Sequence, residues 1–175
     1  MSYEEVFYKA REEFIEICKK TNLKAISKEK LQIKSFGSAK DFEWGKKTKF
    51  LKTYCFVYLF SNDSAEIFYK IGKAGEKSDS RYDQHFKYKE KLQGNGSILA
   101  RSLIDSGKFK ETWGIEKENS REKIMEHTRR TFFYFQNYND PDDSFFALNL
   151  LEAFLHAKFK PIFEGPKSQR KLEIV

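Results

Sequence analysis

The stretch YCFVYLFSNDSAEIFYKIGKAG, residues 54 to 75, carries groups whose chemistry sits oddly in what otherwise reads as core. Period-two alternation puts Tyr58 on one face of a first strand with Tyr54, Phe56 and Phe60, and Lys70 on one face of a second with Phe68 and Gly72. An ammonium at such a position must either snorkel to water or meet an anion. Downstream, Arg81 and His85 are four residues apart and stack on one face of a helix. Near the C-terminus, Glu152 shares a narrow stripe with Asn149 and His156 on a helix that is otherwise largely hydrocarbon. A carboxylate so enclosed is costly unless it is paired, hydrogen-bonded or bound to a cation. An internal salt bridge to a lysine or arginine is the plain structural reading, and a cation-holding carboxylate is the functional one.

The elements that must position these groups follow from pattern. Ser2 and Glu5 form a capping-box signature, and Val6, Phe7, Ala10, Phe14, Ile17 and Cys18 recur at helical spacing, predicting an amphipathic first helix. From Thr21 to Lys52 the pattern breaks into isolated aromatics, glycines and a lysine cluster, predicting loop or short irregular structure. The two strands follow, joined by the polar SNDSAE connection. SDSRYDQHFKYKEKLQ suits a helix capped by Ser78 or Ser80. Ser97 caps a second over ILARSLIDS that Gly107 ends, and KFKETWGIEK alternates as a third strand. ENSREKIMEHTRR reads as helix, and TFFYFQ as either an added strand, the preferred reading, or a continuation of that helix. The last long helix begins with the acids of DPDDS and stops at Pro161.

A chain of 175 residues holds one domain with a real core, and 18 Phe make that core aromatic. The net charge of +7 favours a polyanionic partner such as DNA or RNA over a neutral metabolite. Cys18 and Cys55 sit among apolar neighbours without metal-ligand spacing. With no signal peptide and no apolar run able to span a membrane, the expectation is a reduced, cytoplasmic protein with two structural thiols. His127 and His156 have no second ligand at a telling offset.

The order of a strand with Tyr58, a strand ending in Ile71-Gly72, a helix with Arg81, a further strand and a helix with Glu152 resembles the GIY-YIG nuclease superfamily, in its restriction-endonuclease-like branch. FVY (Phe56, Val57, Tyr58) stands where that family has its first motif, and KIG (Lys70, Ile71, Gly72) where it has its second. Arg81 matches the family's arginine, Glu152 its metal-binding glutamate, and His85 a histidine of some restriction enzymes. The first motif lacks its glycine, Lys70 replaces the usual tyrosine, and Glu164 stands near the place of a common asparagine. The resemblance implies an α+β fold with a small central mixed or antiparallel three-stranded sheet flanked by helices. It divides the chain into an N-terminal helical or irregular extension (1–52), a catalytic domain (53–165) and a basic tail (166–175).

What the resemblance implies chemically is phosphodiester hydrolysis. That reaction needs an activated water, neutralisation of charge growing on the phosphoryl oxygens and stabilisation of the leaving oxygen. Glu152 would hold one Mg²⁺ (or Mn²⁺), and Arg81 would donate two parallel hydrogen bonds to the phosphate. Tyr58 would be the base on water. A free phenol titrates near ~10, and Lys70 and the metal would both favour its ionised form. His85 would orient the tyrosine or act as the base itself. The expected activity is a sequence-specific, Mg²⁺-dependent DNA endonuclease of restriction type acting on double-stranded DNA, with a homodimer as the simplest way to cut both strands and no membrane partner. The alternatives are a phage, mobile-element or repair nuclease of looser specificity, and a non-catalytic nucleic-acid-binding module. Lys73, Arg101, Arg129 and Arg130 are candidate DNA contacts, with Gln93 and Asn95 as further base-reading candidates.

Overall fold

A computed structural model describes residues 1–21, 23, 26–37, 54–74, 84–88, 98–136 and 141–163. The first helix, α1 (Tyr3–Lys20), starts at the expected capping box. Ser2 Oγ accepts from the Glu5 amide at 3.3 Å, and Glu5 accepts from the Ser2 amide at 2.6 Å. Its buried stripe, Phe7, Ala10, Phe14, Ile15 and Cys18, faces the sheet.

Four strands make one antiparallel sheet: β1 (Gln32–Phe36), β2 (Tyr54–Ser61), β3 (Phe68–Ala74) and β4 (Arg129–Gln136), in the spatial order β1-β4-β2-β3. The α+β class and the antiparallel sheet between helices are as expected, but the sheet has four strands rather than three. The additional strand is β1, inside the stretch expected to be loop. It is fixed by pairing from Gln32↔Tyr134 to Phe36↔Arg130, a long-range contact that its own pattern does not announce. The third strand expected over KFKETWGIEK is also corrected. Those residues form the short helix α3 (Lys110–Trp113), which Gly114 closes in the left-handed conformation at φ 61°. Phe109 and Trp113, four apart, both turn their rings to Tyr69. That shared apolar face outweighs the weak alternation.

The remaining helices are α2 (Leu99–Asp105), α4 (Ser120–His127) and α5 (Pro141–Phe159). Where a long helix was expected beyond residue 78, Gln84–Phe86 form a 3₁₀ turn; Ser78, Ser80 and Ser97 lie outside the described residues. The sheet separates two cores. On one side α1 and α5 bury Val57, Leu59, Ile71, Phe133 and Phe135 under Phe7, Phe14, Leu148, Leu151 and Leu155. On the other, Phe56, Tyr58, Phe60 and Phe132 meet Phe86, Leu99, Leu103 and Ile124. Both thiols are buried, in the first core. Among the described residues no helix is long and apolar enough to cross a membrane.

The β2–β3 hairpin closes on Asn62, whose Oδ1 accepts from the amides of Glu66 and Ile67 at 3.0 Å each. Phe60 pairs with Lys70 but Ser61 with Phe68, so Tyr69 is a bulge residue. The bulge turns Tyr69 out of the alternation and into the second core. β3 is an edge strand. After α5 the chain returns along it, and the amides of Ile162 and Phe163 donate to the carbonyls of Phe68 and Tyr69 at 2.8 and 2.9 Å.

Candidate active site

Tyr58 lies in a central strand, directly between Phe132 of β4 and Gly72 of β3. Its ring is laid across Gly72. A Cβ at that position would stand 2.6 Å from Tyr58 Cζ and 2.9 Å from Cε2, so only glycine allows the phenol to lie there. The hydroxyl thereby reaches His85 Nε2 at 2.6 Å, and the imidazole is wedged against the Tyr58 and Phe60 rings. Tyr58 is 2% and His85 5% exposed.

The second imidazole nitrogen fixes the proton. His85 Nδ1 accepts from the backbone N–H of Leu99 at 3.2 Å, at the first residue of α2, where Ile98 supplies no side-chain cap. A backbone amide can only donate, so neutral His85 carries its proton on Nε2 and donates it to the Tyr58 oxygen. Of the two roles left open for His85, a donor that holds and polarises the tyrosine fits this geometry. A base acting at Nε2 does not, because the neutral ring has no lone pair there.

The neighbouring register row on the same face is Lys70–Phe60–Arg130, with both cations buried. Arg130 donates through Nη2 to the Gly37 carbonyl, so it is a buried strut of the sheet rather than a side chain offered to a groove. Lys70 and Arg130 thus share the phenol's face of the sheet.

Lys73 points the other way. It pairs with Val57 and lies on the α5 side, where its Nζ donates to Glu152 Oε2 at 2.6 Å and to Asn149 Oδ1. Asn149 Nδ2 donates to the Phe145 carbonyl at 2.8 Å, which turns its oxygen toward the lysine. The Lys73 and Glu152 side chains are each about a quarter exposed. Glu152 therefore has the internal salt bridge of the plain structural reading. Among the described residues no group of three His, Cys, Asp or Glu side chains could hold a metal. What Glu152 and Asn149 offer is two hard oxygens, the ligand type Mg²⁺ prefers when it keeps most of its waters. A cation bound there would take the place now held by the Lys73 ammonium.

The structure thus brings the expected residues together in two pairs rather than one cluster. Tyr58–His85 occupies one face of β3 and Lys73–Glu152 the other, and they are joined at consecutive residues, Gly72 and Lys73, of a single edge strand. Arg81, Gln93, Asn95 and Glu164 lie outside the described residues. Arg101, two residues along α2 from Leu99, is bonded through Nε to Asp105 at 3.0 Å. Arg129 stands over the Tyr3 ring, 4.2 Å from its centroid, at the α1 side. Sequence reasoning did not find the Lys73 partnership with Glu152 and Asn149, although a signal existed. Lys73 is three residues from Lys70, so alternation sends the two lysines to opposite faces. Nothing in the sequence announced the Leu99 amide on His85. Comparison of the chain with protein-family models, with curated proteins and with solved structures finds no match.

Proposed function

We propose that the chain is a Mg²⁺-dependent endonuclease that hydrolyses phosphodiester bonds of double-stranded DNA, in the manner of a GIY-YIG restriction enzyme. The observation that carries the reading is the hydrogen-bonded Tyr58–His85 pair held over Gly72, one residue from the Lys73–Glu152 pair. Tyr58 is the base. The His85 Nε2–H steadies the phenolate oxygen. Glu152, with Asn149 beside it, would hold the Mg²⁺, which supplies charge neutralisation at the phosphate. Lys73, displaced from the carboxylate by that cation, would then reach a phosphate oxygen as a point charge. The basic balance of +7 supports a polyanionic substrate.

A second reading, a module that binds nucleic acid without turnover, is favoured by one feature: Tyr58 and His85 are almost fully covered. Incubating the purified chain with plasmid and phage DNA, with Mg²⁺ or with EDTA, separates the two. Discrete Mg²⁺-dependent fragments support the restriction-type reading, and smearing or nicking points to a nuclease of looser specificity. Binding without cutting in any divalent metal rejects the catalytic reading in favour of the module.

A further inference from the structure

On α5 a spacing of four and then three sets Phe145, Asn149 and Glu152 in one row, with Phe145 about 6 Å of helix rise before Asn149 and about 10 Å before Glu152. Asn149 ties the row together. Its Nδ2 donates to the Phe145 carbonyl at 2.8 Å, and its Oδ1 accepts from the Lys73 ammonium, which also donates to Glu152 at 2.6 Å. Yet Phe145 is left 61% exposed, unlike Leu148, Leu151 and Leu155 of the same helix, which are buried in the first core. Phe146, 63% exposed, meets it edge-on with ring centroids 6.3 Å apart. Side chains on a helix lean toward its N-terminus, so the Phe145 ring flanks the two hard oxygens without covering them.

We propose that Phe145 is a substrate-contacting residue of this site, its ring stacking on the nucleobase beside the phosphate that Glu152 and its cation would hold. The inference rests on the reading of the site as one that takes a phosphodiester, and adds what the site grips besides the phosphate. Every nucleobase has an aromatic face, so such a stack is indifferent to sequence. In a duplex the same ring enters as a wedge between base steps. A wholly apolar protein partner is a poorer occupant, because covering Phe145 would also bury the polar groups of Lys73, Asn149 and Glu152 farther along the row. A nucleic acid brings a phosphate that suits the Lys73 ammonium and a base that suits the ring, and the net charge of +7 favours the same class of ligand.

Fluorescence anisotropy in Ca²⁺ of a labelled oligothymidylate of about 12 nucleotides, against an abasic strand of the same length and charge, tests it. A single strand offers its bases without the cost of opening a duplex. The unmodified chain should bind the oligothymidylate about tenfold more tightly than the abasic strand. Phe145→Ala should remove that preference while leaving abasic binding and the melting temperature unchanged. Phe145→Trp should retain the preference, and Phe145→Leu, apolar but not flat, should lose it. No binding of oligothymidylate, no preference for it over the abasic strand, or an undiminished preference in Phe145→Ala or Phe145→Leu overturns the proposal. Because binding is read without turnover, the two readings fail separately. A chain that never cuts plasmid DNA but shows the Phe145 dependence keeps the stack and loses the nuclease, and a chain that cuts but binds oligothymidylate without regard to Phe145 does the reverse.

Discussion

The two faces of the sheet are built from the same four strands, but they spend polar groups differently. Under α1 and α5 the interior is aliphatic and aromatic apart from the hydroxyls of Ser61 and Thr131, which bond the Tyr3 hydroxyl, and the charged pair Lys73–Glu152 stays at its rim, about a quarter exposed. Under α2 and α4 the polar groups are taken inside: Tyr58, His85, Lys70 and Arg130 are all buried among Phe56, Phe60, Phe86 and Phe132. Burying such groups costs stability unless each is bonded, and a fold that needed only stability would fill those sites with hydrocarbon. The contrast makes the second face the costlier of the two to bury.

The largest expected effect on folding belongs to the apolar face. Phe133→Ala, in the first core against Phe7, should lower unfolding free energy by about 3–5 kcal/mol in urea titration. If the protein still folds, the Tyr58–His85 bond should persist. Next is Gly72→Ala. Its new methyl collides with the Tyr58 ring, costing about 1–3 kcal/mol and removing cleavage together with the hydroxyl–imidazole contact. Full activity in that variant would mean the phenol's position is immaterial.

Removing one hydroxyl should cost a similar amount without a steric clash. Tyr58→Phe leaves the buried His85 Nε2–H without its acceptor, a loss of about 1–3 kcal/mol by denaturant titration. At the rim, Lys73→Met should change stability by under about 1 kcal/mol, because its ion pair is partly solvated. That variant should nevertheless bind Mn²⁺ more tightly by calorimetry, since no ammonium competes for the carboxylate. Unchanged affinity would break the link between Lys73 and a cation at Glu152.

The effect of pH is negligible near neutrality and grows only in alkali. Burial pushes the Cys18 thiol up from 9.0 to about 11, and burial likewise raises the Tyr3 and Tyr69 hydroxyls above 10.0. Each group is neutral in the folded chain and ionises sooner when unfolded. Between about pH 9 and 11 the folded state therefore holds more protons, and stability should fall as pH rises through that window. Below it these groups contribute no pH dependence. A flat melting temperature from pH 8 to 11 would contradict this, as would ready alkylation of Cys18 in the folded protein at pH 8.

How much of this was legible varied with the range of the interactions involved. Local signals held: the Ser2–Glu5 box began α1, the alternation of Tyr54–Phe60 gave β2, and the acids before Phe145 opened the last long helix. Signals that depend on a distant partner did not. β1 exists because β4 pairs with it, and Lys110–Trp113 coils because Phe109 and Trp113 find Tyr69 across the fold. In the candidate site, the residue types and the Tyr58–His85 association were readable from spacing and resemblance. The division of the groups between two faces follows from the register of β3, and the proton position on His85 from an amide fourteen residues away.

The central claim is that Tyr58 and Glu152, on opposite sides of one edge strand, serve a single cleaved bond. Single-turnover cleavage of plasmid DNA in Mg²⁺ by the unmodified chain, Tyr58→Phe and Glu152→Gln, each first shown to fold and to bind DNA, tests it most directly. The account predicts cutting by the unmodified chain and a loss of at least about 10²-fold in both variants with DNA binding retained. Cutting at the unmodified rate by either variant, or none by the unmodified chain, would contradict it.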